Sequence, residues 1–300
     1  MKPFIEAGKK NNSAFANLTE TPHILREEML QSCSRNQSCP FPTYNLVIDV
    51  SQVYCGGFFH WSIEIWPRIA PFLDALLAHD MPDFAIRIGC EMKDFHRWFF
   101  YDLVRLKKVE IIWLGTVFAK EVIVPTEGFA HSPLLSYWNL VSIRRHVVQR
   151  IGGGGIGSDE HSEQKKIVMV IVRDGSRRGD NGRCDDYIFD ERFFQQLSTG
   201  LGSGYNVTAF RSSDVAMSEC LECQARAFMA ADVIVGSHGA GLSHIMFSKR
   251  GGIVLERMAG DNDSGIYSEL SFLVGIKYFP MKDDAGALAY RDIILFADRY

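Results

Sequence analysis

The 300-residue sequence has no run of 18 or more apolar residues, so it predicts no membrane-spanning helix. It also has no excess of basic residues, because 32 lysines and arginines stand against 36 aspartates and glutamates and the formal net charge is −4. A surface that coats nucleic acid normally needs a basic excess, so we expect no nucleic-acid partner. Seven cysteines are too few for a disulfide-rich scaffold of this length.

The amino terminus, MKPFIEAGKKNNS, lacks the apolar stretch of a secretory signal peptide. A second feature points the other way. Five of the nine asparagines begin Asn-x-Ser/Thr sequons, namely Asn11, Asn17, Asn36, Asn206 and Asn262. This excess favours glycosylation in the lumen of the endoplasmic reticulum or Golgi, with chance clustering as the alternative. Under the luminal interpretation, membrane attachment comes only from an anchor absent from this chain.

Cys220 and Cys223 form a single Cys-x-x-Cys pair, with no second pair and no histidine at zinc-finger spacing. A zinc site is the alternative, but the pattern favours ordinary residues of a helix.

Strands and helices alternate along most of the chain. Residues 1–43 predict an irregular lead-in segment, and residues 44–151 predict a first lobe. The glycine-rich residues 152–165 predict a flexible linker. Residues 166–300 form a second lobe, opened by the continuous apolar run Lys166–Val172 that is typical of a buried parallel strand. The pattern predicts an α/β fold of two Rossmann-like lobes, with mostly parallel sheets and a cleft between them.

The sequence Gly-Ser-His-Gly-Ala-Gly joins a predicted strand, Asp232–Val235, to a predicted helix, Leu242–Phe247. Ligands bind at the carboxyl ends of parallel strands, and the N–H groups at a helix start attract phosphate. Small residues allow a close approach, and His238 can donate to a phosphate oxygen. Glu256 ends the next predicted strand, where a carboxylate suits a ribose or sugar diol. The predicted substrate-binding residues are Ser237, His238, Gly239, Ala240, Gly241 and Glu256.

A second polar loop, Arg173–Arg183, follows the carboxyl end of the strand Lys166–Val172 and is expected at the same sheet edge. Arg173 and Arg178 are two of the four arginines in this loop. An arginine guanidinium group can donate two parallel hydrogen bonds to the oxygens of a diphosphate. A solvated turn is the alternative for each arginine taken alone.

These segments together resemble the family 61 glycosyltransferases, which include secretory-pathway protein O-GlcNAc transferases and plant xylosyl- and arabinosyltransferases. The run Ala231–Glu256 is similar to the most specific motif of the family. Arg173 with Arg178-Gly179-Asp180-Asn181 resembles its "R…R-x-x-N" pattern, and Phe59–Arg68 resembles its "H-W-x-x-E-x-x-P-R" helix. Tyr267–Tyr278 resembles the helix and strand that follow. The missing anchor and the long glycine-rich loop depart from the family.

The resemblance implies a two-lobed fold of the GT-B kind, in which the second lobe holds a uridine diphosphate (UDP) sugar and the first holds a protein or glycan acceptor. It implies inverting, metal-independent transfer of GlcNAc or a pentose, with no cofactor beyond the UDP-sugar donor. Asn181 joins the donor-binding residues on this ground. Consistently, Asp185 and Asp186 are adjacent and do not form an Asp-x-Asp metal motif. Arginines, a histidine and a helix start would stabilise the diphosphate leaving group.

A transfer to a hydroxyl needs a base, and His60 and Glu64 are the catalytic residues that the sequence suggests. They are four residues apart, so they lie on one face of a predicted helix that runs from Phe59 to Leu77. The structural alternative is that His60 packs at the helix start and that Glu64 pairs with Arg68.

The rival function is a non-catalytic module of the same fold that binds a nucleotide sugar or a glycan. A nicotinamide oxidoreductase or a methyltransferase is disfavoured, because no Gly-x-Gly-x-x-Gly follows an early strand.

We predict that UDP-sugars raise the thermal unfolding midpoint of the protein, because a ligand of the folded state alone stabilises that state. His238→Ala and Arg178→Ala are expected to reduce this shift in a thermal-shift assay. An undiminished shift in both variants would place the ligand elsewhere.

Overall fold

A computed structural model describes residues 41–51, 55–69, 72, 78, 83–105, 109–115, 117–125, 140–141, 144, 147, 151, 165–172, 189–211, 214, 220–258, 265–282 and 284–299. The chain divides into two compact units. The first comprises Met1–Cys55, Phe72–Met92 and Phe100–Thr126, and the second comprises Gly56–Pro71, Lys93–Phe99 and Glu127–Tyr300. The predicted lead-in segment and linker lie almost wholly outside the described residues.

The first unit contains a four-stranded sheet whose neighbouring strands are all parallel. The strands are β1 (Thr43–Asp49), β2 (Phe84–Arg87), β3 (Glu110–Ile112) and β4 (Phe118–Ile123), in the order β3-β2-β1-β4. Apolar residues of three of these strands form the buried cluster Tyr44, Val47, Ala85 and Ala119.

The second unit contains a five-stranded parallel sheet in the order β6-β5-β7-β8-β9. The strands are β5 (Lys166–Val172), β6 (Tyr205–Arg211), β7 (Val233–Ser237), β8 (Ile253–Arg257) and β9 (Lys277–Met281). All five residues of β7 and of β8 are buried. Because side chains alternate between the two faces of a strand, this burial means that both faces of the sheet are covered there.

The described helices are α1, a π-helical turn His60–Ile65 that continues as the α-helix Trp66–Ile69; α2 (Asp94–Arg105); α3 (Glu191–Leu201); α4 (Leu221–Ala230); a 3-10 helix (Ala240–Phe247); α5 (Ile266–Val274); and α6 (Ala287–Ala297). None of the helices in the described part of the chain is long and apolar enough to span a membrane.

Local chemistry sets the ends of α3. The Asp190 carboxylate accepts a hydrogen bond from the Phe193 N–H at 2.8 Å, which satisfies one of the free donors of the first turn. At the other end, Gly202 has φ 79°, a conformation that glycine adopts without strain. The apolar face of α3 joins that of α6 over one side of the second sheet, in a cluster that includes Leu197, Tyr290 and Leu255.

Helix α1 belongs to the second unit although it lies between two stretches of the first unit in sequence. Its Trp61 ring contacts the ring of His96 at 4.3 Å and that of Phe99 at 6.2 Å between centroids. Residues 93–99 at the start of α2 are thereby packed with α1 in the same unit.

The predicted fold class is confirmed, since the chain is α/β with two Rossmann-like lobes that each contain a parallel sheet. The predicted cleft and lobe boundaries stay predictions. The predicted end of β7 was wrong. Strand β7 continues through Gly236 to Ser237, where a loop was predicted, because these residues pair with Glu256 and Arg257 of β8. The 3-10 helix that follows begins at Ala240, two residues before the predicted start at Leu242. In the last described helix, Ala287–Ala297, Ala287 and Tyr290 are buried in the core.

Two disulfides are present among the described residues, Cys55–Cys90 in the first unit and Cys220–Cys223 in the second. The interpretation of Cys220 and Cys223 as ordinary helix residues was wrong. Cys220 is the residue that precedes α4, and it is bonded to Cys223 in the first turn.

We predict that Leu255→Ala lowers the free energy of unfolding by about 2–5 kcal/mol, because Leu255 is fully buried at the centre of β8. The matched control is Leu288→Ala on α6, where the side chain is 53% exposed and the change should be within about 0.5 kcal/mol. Urea unfolding followed by circular dichroism measures both. Equal losses would contradict the assignment of β8 to the core.

Candidate functional site

The candidate site lies at the carboxyl edge of the second sheet, where the strand order reverses. From β5 the chain continues to β6 on one side, whereas from β7 it continues to β8 on the other. Loops that follow β5 and β7 therefore leave in opposite directions, and ligands of doubly wound folds bind in the crevice between such loops. The predicted histidine and glycine loop follows β7 at this point.

This loop leads directly into the 3-10 helix. Gly239 has φ 150° and ψ −178°, a backbone conformation that is essentially confined to glycine. The Leu242 N–H donates to the Gly239 carbonyl oxygen at 2.9 Å. The N–H groups of Ala240 and Gly241 therefore precede the first bond of the helix, and Ala240 is exposed. N–H groups in this position are suited to an anion.

Gly236 and Gly241 are small for a reason that the sequence interpretation missed. Both pack against Ile171 of β5, and a Cβ atom at either glycine would lie 3.2 Å from an Ile171 side-chain carbon. A larger residue would force Ile171 to shift. Close packing between the loop and the neighbouring strand, and not only access for a ligand, requires glycine at these two positions.

A buried carboxylate joins the ends of three strands. Glu256 in β8 is 1% exposed. One of its oxygens, Oε1, lies 2.6 Å from His238 Nδ1, and the other, Oε2, accepts a 2.6 Å hydrogen bond from the Tyr278 hydroxyl. His238 follows β7 and Tyr278 is in β9, so the carboxylate links both neighbours of its own strand.

This arrangement changes the role expected of Glu256. Its two oxygens already receive donors from the protein, so the carboxylate orients a histidine instead of presenting itself to a sugar diol. Because the carboxylate accepts, His238 Nδ1 carries the proton, and the lone pair of the neutral ring lies on Nε2. The His238 ring is partly exposed, with 21% of its side-chain surface accessible.

Arg257 is a residue of this site that the sequence analysis did not identify. It is buried, and its guanidinium Nη1 donates to the Ser237 hydroxyl at 3.3 Å. Its carbonyl oxygen also accepts a 3.0 Å bond from the His238 N–H. A positive charge thus lies behind the loop. The sequence signal was an arginine two residues after the apolar run Ile253–Leu255, where a buried strand ends.

His60 and Glu64 form the pair that their spacing predicts. The distance from His60 Nδ1 to Glu64 Oε2 is 2.9 Å, and both side chains are partly exposed. They lie on the π-helical turn of α1, a type of turn that is rare and frequently found at functional sites. Arg68 is buried one turn further on. Burial lowers the pKa of Arg68, and the negative charge of Glu64 opposes this effect.

Aromatic contacts connect the two histidine–glutamate pairs within the second unit. The Tyr267 ring of α5 lies 5.3 Å from the His238 ring and 6.0 Å from the Phe59 ring, and Phe59 lies edge-on to His60 at 5.2 Å. Tyr267 therefore connects the start of α1 to the His238 ring.

His244 is a buried residue of the 3-10 helix that supports the loop before the helix. Its ring stacks on Phe58 at 4.3 Å and on Phe228 at 5.0 Å, and burial lowers its pKa from 6.5 to about 4. Nδ1 donates to the Gly241 carbonyl oxygen at 3.0 Å. Nε2 lies 2.6 Å from the Oε1 atom of the Gln224 side-chain amide.

The remaining predicted donor-binding residues, Arg173, Arg178 and Asn181, lie outside the described residues. They follow strand β5 in sequence, and β5 ends at Val172.

No protein-family model matches the sequence, and no curated protein matches it. Among solved structures, "a putative aspartate carbamoyltransferase from Trypanosoma cruzi" is 9% identical and covers 85% of this chain and 90% of its own, with a TM-score of 0.18. A TM-score this low carries no structural argument, so the fold assignment rests on the strand order itself.

We predict a loss of stability in acid from His244. Its pKa is about 4 in the folded protein and 6.5 when unfolded, so the unfolded chain takes up the proton first as the pH falls. The free energy of unfolding should fall by about 3 kcal/mol between pH 6.5 and 4 from this group. Urea unfolding at stepped pH measures it, with His244→Phe as the non-titrating comparison. Identical pH slopes in the two proteins would contradict the buried neutral ring.

Proposed function

We propose that the protein is an inverting glycosyltransferase that moves a sugar, GlcNAc or a pentose, from a UDP-sugar to a hydroxyl of a protein or glycan. The observation that carries the proposal is the His238–Glu256–Tyr278 cluster at the switch point, beside the start of the 3-10 helix. It combines a fixed imidazole with backbone N–H groups at the place where doubly wound folds bind nucleotides.

In the proposal the diphosphate of the donor lies against the loop after β7. The N–H groups of Ala240 and Gly241 donate to its oxygens, and the helix dipole favours its charge. The Glu256 carboxylate holds the imidazole of His238 beside the same group, and a doubly protonated ring donates to it from Nε2. Arg173, Arg178 and Asn181 would complete the donor site from the loop after β5. Together these groups stabilise the UDP that departs.

The second half of the reaction is the activation of the acceptor. With Nδ1 donating to Glu64, the lone pair of His60 lies on Nε2 and can take the proton of an acceptor hydroxyl. The hydroxyl oxygen then attacks the anomeric carbon from the face opposite to the departing UDP, which inverts the configuration. Glu64 holds the ring in the required tautomer and stabilises the imidazolium that forms. The proposal uses no metal and no cofactor beyond the donor.

We place this reaction in the lumen of the secretory pathway. The five sequons support that placement, and so do the two disulfides, because disulfides persist in oxidising compartments.

The test is calorimetric titration of the full chain with UDP-GlcNAc and UDP-xylose. We expect Glu256→Gln to weaken binding about ten- to a hundredfold, because it removes a hydrogen bond to a charged group that holds His238 in place. Glu121→Gln, an exposed glutamate on β4, is the matched control and should leave the Kd unchanged.

Hydrolysis of the bound donor separates the enzyme from a binding module. Liquid chromatography should show slow release of UDP by the wild type, and His60→Ala should bind the donor normally but release UDP at least tenfold more slowly. Binding without release in the wild type would assign a non-catalytic module. If no UDP-sugar tested binds, both the glycosyltransferase and the binding module are refuted.

A further inference from the structure

The disulfide Cys220–Cys223 has a setting unlike that of Cys55–Cys90. Both of its cysteines are half-buried, whereas in the other bond Cys55 is 1% exposed and Cys90 is half-buried. Only two residues separate Cys220 from Cys223, whereas the other bond joins residues 35 apart in sequence. A bond that closes so short a loop removes little entropy from the unfolded chain and contributes little to stability. Stabilisation of the fold therefore does not explain why this disulfide is present.

The start of α4 stabilises a negative charge on Cys220. Cys220 is the capping residue of this ten-residue helix, and its Sγ accepts a 3.1 Å hydrogen bond from the Cys223 N–H. A helix start and a Cys-x-x-Cys arrangement each lower the pKa of a thiol. The one acidic residue of the first turn, Glu222, is paired with Arg226 at 2.7 Å, which offsets its repulsion of a thiolate.

We propose that Cys220 and Cys223 form a reversible dithiol–disulfide site that exchanges with small thiols and disulfides of the glutathione type, with Cys220 as the attacking thiolate. This activity is independent of glycosyl transfer. It uses side chains on the outer part of the β6–α4–β7 crossover and no residue of the proposed donor or acceptor sites.

Reduction of the Cys220–Cys223 disulfide consumes two thiols of the reductant. A thiolate of the reductant attacks Cys220 Sγ, the bond to Cys223 breaks, and its electron pair stays on Cys223 Sγ, which takes a proton. A second reductant thiolate attacks the outer sulfur of the mixed disulfide, forms the oxidised reductant and releases Cys220 as a thiolate. The reverse sequence oxidises the pair and reduces a small disulfide.

The experiment uses the full chain, equilibrated in buffers of graded reduced and oxidised glutathione, quenched in acid and alkylated. Trypsin cuts after Arg211 and Arg226 and so releases residues 212–226, a peptide with these two cysteines only. We expect it to pass from no alkyl groups to two in a single transition that follows the square of the reduced glutathione concentration. The transition should reverse with oxidised glutathione, while Cys55–Cys90 stays bonded. If residues 212–226 are reduced no earlier than Cys55–Cys90, the proposal is overturned.

Single-cysteine variants test which sulfur attacks. In Cys223→Ser, the alkylation rate of Cys220 should reach half its maximum below about pH 7.5, at least one pH unit lower than that of Cys223 in Cys220→Ser. When the two variants are unfolded in urea, their alkylation rates should reach half-maximum at the same pH. If the folded variants also reach half-maximal alkylation at the same pH, Cys220 is not the activated thiolate.

Discussion

The buried carboxylate of Glu256 is the constraint on which the carboxyl edge of the second sheet depends. An ionised carboxylate removed from water costs several kcal/mol unless donors replace the solvent. Here the donors come from the two flanking strands, His238 after β7 and Tyr278 in β9. The parallel register sets Glu256 opposite Gly236 and Pro280, so the ends of the three strands arrive together. The need to satisfy one carboxylate thus fixes the direction of the His238 ring.

Two histidines six residues apart show how strongly the environment sets their chemistry. His238 borders a carboxylate and is partly open to solvent. His244 is sealed between Phe58 and Phe228 and stays neutral, so it acts as a structural support. The sequence does not distinguish them, since each directly follows a serine. The difference arises from residues that are distant in sequence and packed against one side of the helix.

Much of the fold and part of the site could be predicted from local patterns. The parallel strands were recognisable because their apolar runs are short, β-branched and continuous, as in Lys166–Val172. The placement of His60 and Glu64 on one helix face followed from helical spacing alone. The end of β7 was missed because glycine is usual in loops, whereas Gly236 stays in the strand to make room for Ile171.

What could not be predicted depends on contacts between distant parts of the sequence. No local pattern links Phe59 to Tyr267, or shows that both oxygens of Glu256 are taken by protein donors. Arg257 was overlooked for a related reason, since an arginine at the end of a strand is ordinarily solvated and only the packed sheet buries it.

The membership of α1 in the second unit bears on how the protein can be divided. That unit is assembled from three separate stretches of the chain, and Phe58, which covers the His244 ring, comes from the earliest of them. A fragment that begins at residue 166 would keep all five strands of its sheet. It would nevertheless lose this cover and the helix that bears His60, and leave an aromatic surface open to water. The second unit is therefore not an independent domain that can be exchanged with another protein by cutting the chain at the glycine-rich residues 152–165.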